Sequence, residues 1–264
     1  MSLSTRVRLR PMRLMMALAS LALASCATPP PTEPGGGKAG LASWAGRPIG
    51  APPVPNPALK RTILARAEQE WTYFGRQLVI LKGSEESIPH VGDWEDDGPR
   101  QSRRVNLYWR AVGKPGLDGI DCQKPWSAAF ISWIMRSSGV PESQFRSDSA
   151  HWVYLASLID EVSLPGRYFI PRRLADYSPE PGDLVCASRG IARVATVNGY
   201  TTASMLHGVS AHCDLVVAKT GRTLEVVGGN VRNSVSKSRL ELDANGRLQP
   251  VPRRPWFIIL QNRL

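Results

Sequence analysis

The apolar residues of this chain change their spacing part-way along it, and that change limits the folds open to it. The first part carries runs with helical periodicity, whereas the second part carries short β-type runs separated by turn residues. Helices that precede an antiparallel sheet are typical of α+β proteins. We therefore expect an α+β fold in which N-terminal helices pack on an antiparallel sheet.

The first helix is predicted to begin at Pro57. Asn56 is a favoured N-cap residue, and proline is favoured at the first helical position. Apolar residues then keep helical spacing to about residue 81, at Leu59, Ile63, Ala67, Trp71 and Phe74. The segment 84–102 is acidic and then polar, and 94–98 is predicted to be a loop within it. Three more helices are expected at 105–112, 125–138 and 149–162.

Four later runs have the composition of strands and are bounded by turn residues. They cover 183–186, 213–218, 223–227 and 256–260. Pro181-Gly182 precedes the first run and Thr220-Gly221 separates the second from the third. These short connections predict antiparallel neighbours in one sheet.

Residues 1–25 have the composition of an export signal. Four arginines precede an apolar run, 14–24, that is too short to span a bilayer, which takes about 20 residues. The run ends in Leu23-Ala24-Ser25-Cys26, which resembles the bacterial lipobox. We therefore expect cleavage before Cys26 and lipid on its thiol, which would anchor the chain in a membrane; an ordinary secretory signal is the alternative. Ala27 favours, by analogy with enterobacterial sorting, the periplasmic face of the outer membrane over the inner membrane.

Residues 26–56 are rich in proline and glycine, and such a stretch buries too little apolar surface to fold. We predict a tether there and a single folded domain over 57–264.

The formal charge of +11 falls to about +7 without the four signal arginines, which suits an anionic envelope polymer such as peptidoglycan or lipid head groups. Nucleic acid is not an expected partner, because export removes the chain from it and the arginines are scattered.

Three segments carry the residue types that acyl transfer needs. A predicted helix begins around Ser127, a predicted strand carries His212, and the next strand ends in Asn230. A helix N-terminus presents unpaired N–H groups and a positive dipole end, which favour an anionic nucleophile and stabilise an oxyanion. A strand histidine can act as base and an asparagine can orient its imidazole. The pattern therefore predicts one cleft formed by these three residues.

The same segments resemble the CHAP and NlpC-type superfamily of papain-like amidases and peptidases, many of which act on peptidoglycan. The resemblance runs from about residue 124 to 236 and follows the family order of helix-start nucleophile, strand histidine and polar orienting residue. It implies a papain-like fold, with His212 as general base and Asn230 as the orienting residue. The wider chain, including 71–75 and 181–186, resembles a bacterial family known as domain of unknown function 2272, which brings no established activity.

Ser127 stands where the enzymes of this superfamily have cysteine. A serine hydroxyl has a far higher pKa than a cysteine thiol, near 8.5, and is activated less readily by a lone histidine. Three interpretations stay open: Ser127 is the nucleophile of an amide hydrolase, Ser127 marks a binding site without catalysis, or Cys122 supplies a thiol. The last conflicts with the position of Cys122, which precedes Pro125 and should lie off the helix start.

Other residues are candidates for the same cleft. Asp214 is two residues after His212, so both side chains should lie on one face of a strand; pairing of Asp214 with an arginine is the alternative. His151 could line the cleft from its helix or lie at the surface. Trp126 is a cleft candidate, with a position in the core as the alternative.

The remaining cysteines and histidines predict a disulfide and no cofactor. The envelope is oxidising, and Cys186 and Cys213 lie on strands expected to be neighbours, so we expect these two to approach each other and to leave Cys122 unpaired. The histidines are scattered, and the sequence has neither a metal-ligand pair nor a nucleotide-binding fingerprint. No metal or other cofactor is therefore expected.

Overall fold

The computed structural model describes residues 43–190 and 193–264, and the predicted signal and lipid-bearing Cys26 lie outside them. The described chain is a mixed α+β structure with five helices and a large, mainly antiparallel sheet. The helices are α1 (Pro57–Tyr73), α2 (Pro99–Ala111), α3 (Ser127–Ser138), α4 (His151–Asp160) and the short α5 (Ala203–Leu206). The strands are β1 (Ser43–Trp44), β2 (Arg47–Pro48), β3 (Leu78–Lys82), β4 (Glu85–His90), β5 (Phe169–Arg172), β6 (Leu184–Ser188), β7 (Ala211–Thr220), β8 (Thr223–Val231), β9 (Ser234–Glu241) and β10 (Trp256–Asn262).

The main sheet has eight strands in the order β4-β3-β9-β8-β7-β6-β10-β5. All neighbouring pairs are antiparallel except β3 and β9, which run parallel. Strand β7 lies in the interior of this sheet, between β6 and β8. At its His212 end β7 pairs with β6, where Ala187 lies opposite His212, whereas its pairs with β8 begin at Leu215.

The two faces of the sheet carry different cores. The larger core contains apolar residues from α1 to α4 together with Leu184, Cys186, Cys213 and Leu215 from the sheet. The smaller core contains the alternate residues Val185, Ala187 and Val216 with residues from the C-terminal segment. Because successive strand residues point to opposite faces, this alternation shows which side chains of β6 and β7 face the helices.

The first helix ends earlier than its apolar spacing predicted. Helix α1 ends at Tyr73, and Gly75 and Arg76 then adopt positive φ angles of 72° and 63°. Residues 78–82 form β3, which joins β9 and β4 in the sheet. The β-branched pair Val79-Ile80 suits a strand, so pairing with distant residues overrides the helical spacing. The predicted loop over 94–98 is confirmed, since these residues lie between β4 and α2 and belong to neither.

The last part of the predicted tether packs against the folded body. Trp44 is buried in the larger core, and its indole N–H donates to the carbonyl oxygen of Thr201 at 3.1 Å. The Gly50 amide donates to the carbonyl oxygen of Val162. The folded domain therefore includes residues 43–56, where a tether was predicted. The reason is that the buried side chain of Trp44 attaches this proline-rich stretch to the core. None of the helices in the described ranges is long and apolar enough to cross a bilayer.

Candidate active site

Ser127 is the first residue of α3 and is almost fully buried, at 2% exposure. The residue before it, Trp126, is the N-cap and makes no capping hydrogen bond with its side chain. The amide groups of the first helical turn therefore have no side-chain partner from the cap, and they lie beside the Ser127 hydroxyl. A developing negative charge on an atom at this position would be stabilised by these N–H groups and by the helix dipole.

Ser127 is hydrogen-bonded to a histidine from the next helix. Its Oγ lies 2.7 Å from Nε2 of His151, the first residue of α4. The other ring nitrogen of His151, Nδ1, is hydrogen-bonded to the hydroxyl of Tyr154. Burial lowers the pKa of His151 well below its usual value, and the nearby His212 lowers it further. The imidazole is therefore neutral at neutral pH, so Nε2 can accept the Ser127 proton while Nδ1–H donates to Tyr154.

His212 belongs to a second polar cluster at the start of β7. Its Nε2 lies 2.8 Å from Oδ1 of Asp214, and Nη1 of Arg254 lies 2.9 Å from Oδ2 of the same carboxylate. Burial of Asp214 opposes its ionisation, but the attraction of His212 and Arg254 outweighs this and lowers its pKa to about 2. Asp214 is therefore charged at neutral pH, and it both orients His212 and pairs with Arg254.

The two clusters meet through their histidines. The ring centroids of His151 and His212 are 5.7 Å apart, with the rings nearly edge to face. Ser127 and His151 line a cavity of about 280 Å³, and His212 and Asn230 line a larger one of about 470 Å³. Arg189 lines both cavities. The arrangement offers a buried hydroxyl with an adjacent base and, beside it, a second imidazole at the wall of a wider pocket.

The paired glycines of β8 allow this close approach. A Cβ atom at Gly229 would lie 2.5 Å from Cβ of Phe130, so Gly229 lets the sheet lie close to α3. A Cβ atom at Gly228 would clash with the carboxylate of Asp214 on the other face of the sheet. Gly229 thus allows helix packing on one face of the sheet, and Gly228 leaves room for the carboxylate of the His212 cluster on the other.

Asn230 connects the strand end to a buried glutamate. Its Nδ2 donates to Oε2 of Glu95 at 3.3 Å, and the indole N–H of Trp126 donates to the same oxygen. Burial raises the pKa of Glu95 to about 7, although the Trp126 hydrogen bond partly opposes the change. Both donors act on Oε2, and Oε1 has no partner in the described chain, so Oε1 is the oxygen that would carry the proton. Glu95 thereby links Trp126, the residue before Ser127, to Asn230 near the end of β8.

The comparisons with known proteins identify the family and nothing closer. Residues 96–262 match the family described as an uncharacterized protein conserved in bacteria, DUF2272, and this match covers more than half of the chain. The chain belongs to DUF2272. No curated protein and no solved structure matches it. The matched range of this DUF2272 chain includes both histidine clusters, whereas Glu95 lies one residue before it.

The roles predicted for His212 and Asn230 need correction. In this DUF2272 domain Ser127 is hydrogen-bonded to His151, and the described residues contain no hydrogen bond between Ser127 and His212. The His212 ring is held by Asp214 and not by Asn230. The physical reason is strand alternation. Because Cys213 faces the helices, His212 and Asp214 share the other face of β7, and the His212 ring lies beside the ring of His151, at 5.7 Å between centroids, rather than on Ser127. As predicted from their spacing, His212 and Asp214 do share one face.

Two other cleft candidates lie elsewhere. Trp126 is buried in an aromatic cluster with Phe74, Tyr108 and Phe130, so its ring is part of the core. Cys122 is exposed in the loop before α3, where its thiol contacts Asp96. Desolvation by its neighbours and the negative charges nearby raise the pKa of the Cys122 thiol, which opposes thiolate formation. Neither side chain lines the Ser127 cavity.

Cys186 and Cys213 form a disulfide between β6 and β7. Their Cα atoms are 4.1 Å apart, well inside the roughly 7 Å limit for such a bridge. The two residues are directly opposite each other in the register of the strands. The bridge lies next to His212 in sequence, and it links the strand with the histidine to its neighbour on the helix-facing side.

Three residues of the site were not predicted. Tyr154 lies one helical turn from His151, so the i, i+3 spacing within 151–154 is a signal that could have indicated it. Glu95 and Arg254 reach the site from segments 135 residues before Asn230 and 40 residues after Asp214, respectively. Sequence spacing carries no signal for such contacts.

Within the described ranges, no group of three or more His, Cys, Asp or Glu side chains is placed to hold a metal ion.

Proposed function

We propose that this protein is an envelope hydrolase that cleaves amide bonds in cell-wall peptides or a related envelope substrate, with Ser127 as its nucleophile. The observation that carries the proposal is the 2.7 Å contact between Ser127 Oγ and His151 Nε2 at the start of a helix. A hydroxyl, a neutral imidazole within hydrogen-bond distance and a set of helix-start N–H groups are the parts that acyl transfer requires.

The reaction follows from these positions. Ser127 Oγ attacks the carbonyl carbon of the amide as its proton moves to His151 Nε2, and the N–H groups of the first turn of α3 stabilise the resulting oxyanion. The imidazolium then donates its proton to the leaving amine, the C–N bond breaks, and an ester to Ser127 remains. Water, deprotonated by His151, hydrolyses that ester and restores the hydroxyl.

The charge that appears on His151 has a counter-charge nearby. Tyr154 is a phenol whose pKa is raised well above its usual value by burial and by Asp214, so it orients the ring without neutralising a positive charge. The ionised carboxylate of Asp214 acts on His151 across His212 and favours its protonated form. We assign to the His212–Asp214 pair the role of stabilising the imidazolium of His151, in addition to lining the larger cavity.

The papain-like relationship is part of this proposal. The order of a helix-start nucleophile, a strand histidine and a polar strand end follows the CHAP and NlpC-type pattern, and the sheet is mainly antiparallel with helices on one face. This chain departs from that pattern in two ways. Serine replaces cysteine, and the nearest base comes from α4 and not from β7.

A specific observation favours a second candidate, a lipoprotein that binds the cell wall without cleaving it. The partner of His151 Nδ1 is a tyrosine, where serine hydrolases with a Ser-His-Asp triad have a carboxylate. Burial also lowers the pKa of His151 and so weakens it as a base. Both features would be tolerated in a cleft that only binds.

The proposed location rests on the lipobox-like segment that ends at Cys26. We propose that lipid on Cys26 attaches the protein to the envelope membrane, on the periplasmic face of the outer membrane. One acyl-bearing cysteine and a tether would then place the folded domain within reach of the cell wall.

The deciding experiment is product analysis with isolated cell-wall sacculi and the purified full chain. We expect the wild type to release peptide fragments, and both Ser127→Ala and His151→Gln to lower the rate by about 10³-fold or more. Ser137→Ala, a substitution in the last turn of the same helix, is the matched control and should keep the wild-type rate. Sacculi that sediment the wild type and Ser127→Ala equally, with no fragment released by either, would favour the binding protein instead.

A further inference from the structure

The larger cavity beside the candidate active site is unusually rich in arginine. It has a volume of about 470 Å³ and lies against His212 and Asn230. Five arginines and one acidic side chain line it: Arg189, Arg193, Arg232, Arg253, Arg254 and Glu86. We call this cavity the arginine pocket.

Only two of these arginines have a carboxylate partner within the described chain. Arg254 is bonded to Asp214 at 2.9 Å, and Arg232 to Glu86 at 2.6 Å. Arg189, Arg193 and Arg253 make no ion pair there, and their guanidinium groups donate no hydrogen bond to a described residue. With Asp214 and Glu86 counted, the pocket keeps an excess of three positive charges.

The charges of the pocket act on one another. Arg189 and Arg254 line the same cavity, and desolvation by neighbouring groups together with repulsion from Arg254 lowers the pKa of Arg189. The hydrogen bond from Arg232 lowers the pKa of Glu86 despite some burial, and Arg253 and Arg254 lower it further. Such clustered cations attract anions, and a ligand that supplies negative charge would relieve the repulsion.

The chemistry of the pocket indicates carboxylates as ligands. A guanidinium group binds a carboxylate through two parallel hydrogen bonds, and this geometry makes arginine the residue of choice for such groups. Three arginines without a partner suit a ligand that carries two or more carboxylates near each other. A neutral or cationic ligand would leave the excess positive charge uncompensated.

The pocket is also placed to act on a substrate. Arg189 lines both the arginine pocket and the cavity that contains Ser127 and His151. A ligand held by Arg189 would therefore lie where the two cavities adjoin. The excess positive charge thus borders the cavity that contains Ser127.

We propose that the arginine pocket is the substrate-recognition site for an acidic peptide, one with at least two carboxylates, which it holds beside Ser127. That the bound peptide is a substrate rests on the proposed hydrolase function, whereas the binding itself does not depend on catalysis. Arg189, Arg193 and Arg253 are the residues that bind the carboxylates. Arg232 and Arg254, which are held by Glu86 and Asp214, shape the wall of the pocket.

The test is calorimetric titration of the full chain with triglutamate, and with triglutamine amide as its uncharged counterpart. We expect the wild type to bind triglutamate with an affinity that falls as salt is added, and to bind triglutamine amide at least tenfold more weakly. The triple variant Arg189→Gln/Arg193→Gln/Arg253→Gln should lose at least tenfold in affinity for triglutamate. Arg61→Gln/Arg103→Gln/Arg110→Gln removes three exposed arginines elsewhere and the same total charge, so this control should bind as the wild type does.

Three results would overturn the proposal. One is equal affinity of the two triple variants for triglutamate, because the attraction would then come from net charge alone. Another is equal binding of triglutamate and triglutamine amide by the wild type. The third is displacement of triglutamate by inorganic phosphate at concentrations far below those of the peptide, which would assign the pocket to phosphate groups.

The failure of this inference can be told apart from failure of the proposed hydrolase. Ser127→Ala should bind triglutamate as the wild type does, because Ser127 is not among the residues that line the arginine pocket. If Ser127→Ala leaves sacculus cleavage unchanged while the arginine variant loses peptide binding, only the hydrolase proposal fails. If cleavage depends on Ser127 but peptide binding does not depend on the three arginines, only the recognition proposal fails.

Discussion

Gly228 and Asp214 lie so close that a Cβ atom at residue 228 would be 1.8 Å from Oδ1 of the carboxylate. The same Oδ1 accepts the hydrogen bond from His212. Glycine at residue 228 therefore provides the space in which the aspartate holds the histidine ring.

We expect Gly228→Ala to destabilise the protein and to displace the His212 ring. Overpacking of a buried site costs about 1–3 kcal/mol, so the free energy of unfolding in urea should fall by that amount. Gly116→Ala is the control, because a Cβ atom there meets no other atom within 4 Å. Equal stability of the two variants would mean that the carboxylate moves without cost. The NMR signals of the His212 ring should shift in Gly228→Ala alone.

The buried Glu95 should make stability depend on pH. Its pKa is raised to about 7 in the folded state, so between about pH 4.5 and 7 the unfolded chain ionises this carboxyl while the folded protein keeps it protonated. The contribution of Glu95 to the free energy of unfolding is thus fully present below pH 4.5 and decreases as the pH rises through 7. Integrated over that window, the loss amounts to about 3 kcal/mol.

Denaturation of Glu95→Gln across pH 4–8 tests this expectation. The amide cannot ionise, so the variant should lack the decrease that the wild type shows between pH 4.5 and 7. Glu85→Gln, at an exposed position on β4, should keep the wild-type decrease. Parallel pH profiles for Glu95→Gln and the wild type would place the Glu95 pKa near that of an ordinary carboxyl.

The disulfide should contribute strongly to stability. It closes a loop with a sequence separation of 27 residues, for which the loss of unfolded-state entropy corresponds to about 3.5 kcal/mol. We expect Cys186→Ala/Cys213→Ala to lower the free energy of unfolding by about this amount, and a reductant to do the same to the wild type. Cys122→Ala should leave the unfolding curve unchanged, and a reductant without effect on the wild type would contradict the bridge.

Ser127→Cys in a Cys122→Ser background should have a reactive thiol. His151 Nε2 lies within hydrogen-bond distance of the side chain at residue 127, and the helix start favours a thiolate. The rate of iodoacetamide labelling should therefore have its pH midpoint below the 8.5 or so of a free thiol. Addition of His151→Gln should return the midpoint toward that value. A midpoint near 8.5 with His151 present would leave the proposed hydrolase without an activating base.

Lipidation is tested at Cys26. We expect Cys26→Ala to abolish incorporation of a clickable palmitate analogue and to leave the precursor uncleaved by the lipoprotein peptidase, because the thiol is the acylated group. Ser25→Ala keeps a small residue before the cysteine and should be labelled normally. Equal labelling of Cys26→Ala and the wild type would remove the basis for a lipid anchor.

Much of the local structure could be predicted from the sequence, because neighbouring residues determine it. Helix α3 begins at Ser127 within a segment predicted to be helical, and it ends before Gly139, whose φ of 93° suits glycine. The two-residue spacing of His212 and Asp214 placed both on one face of a strand. In each case a short-range periodicity was enough.

The partner of Ser127 was decided only by the tertiary structure. Helix spacing cannot show that the start of α4 packs beside the start of α3, so His151 was one cleft candidate among several. Strand alternation predicts that His212 and Cys213 face opposite ways, but only the packed sheet shows which face meets the helices. The same holds for Glu95 and Arg254, whose contacts join segments far apart in the chain. The sequence thus determined which residues share a helix turn or a strand face, whereas long-range packing decided which of them meet in one site.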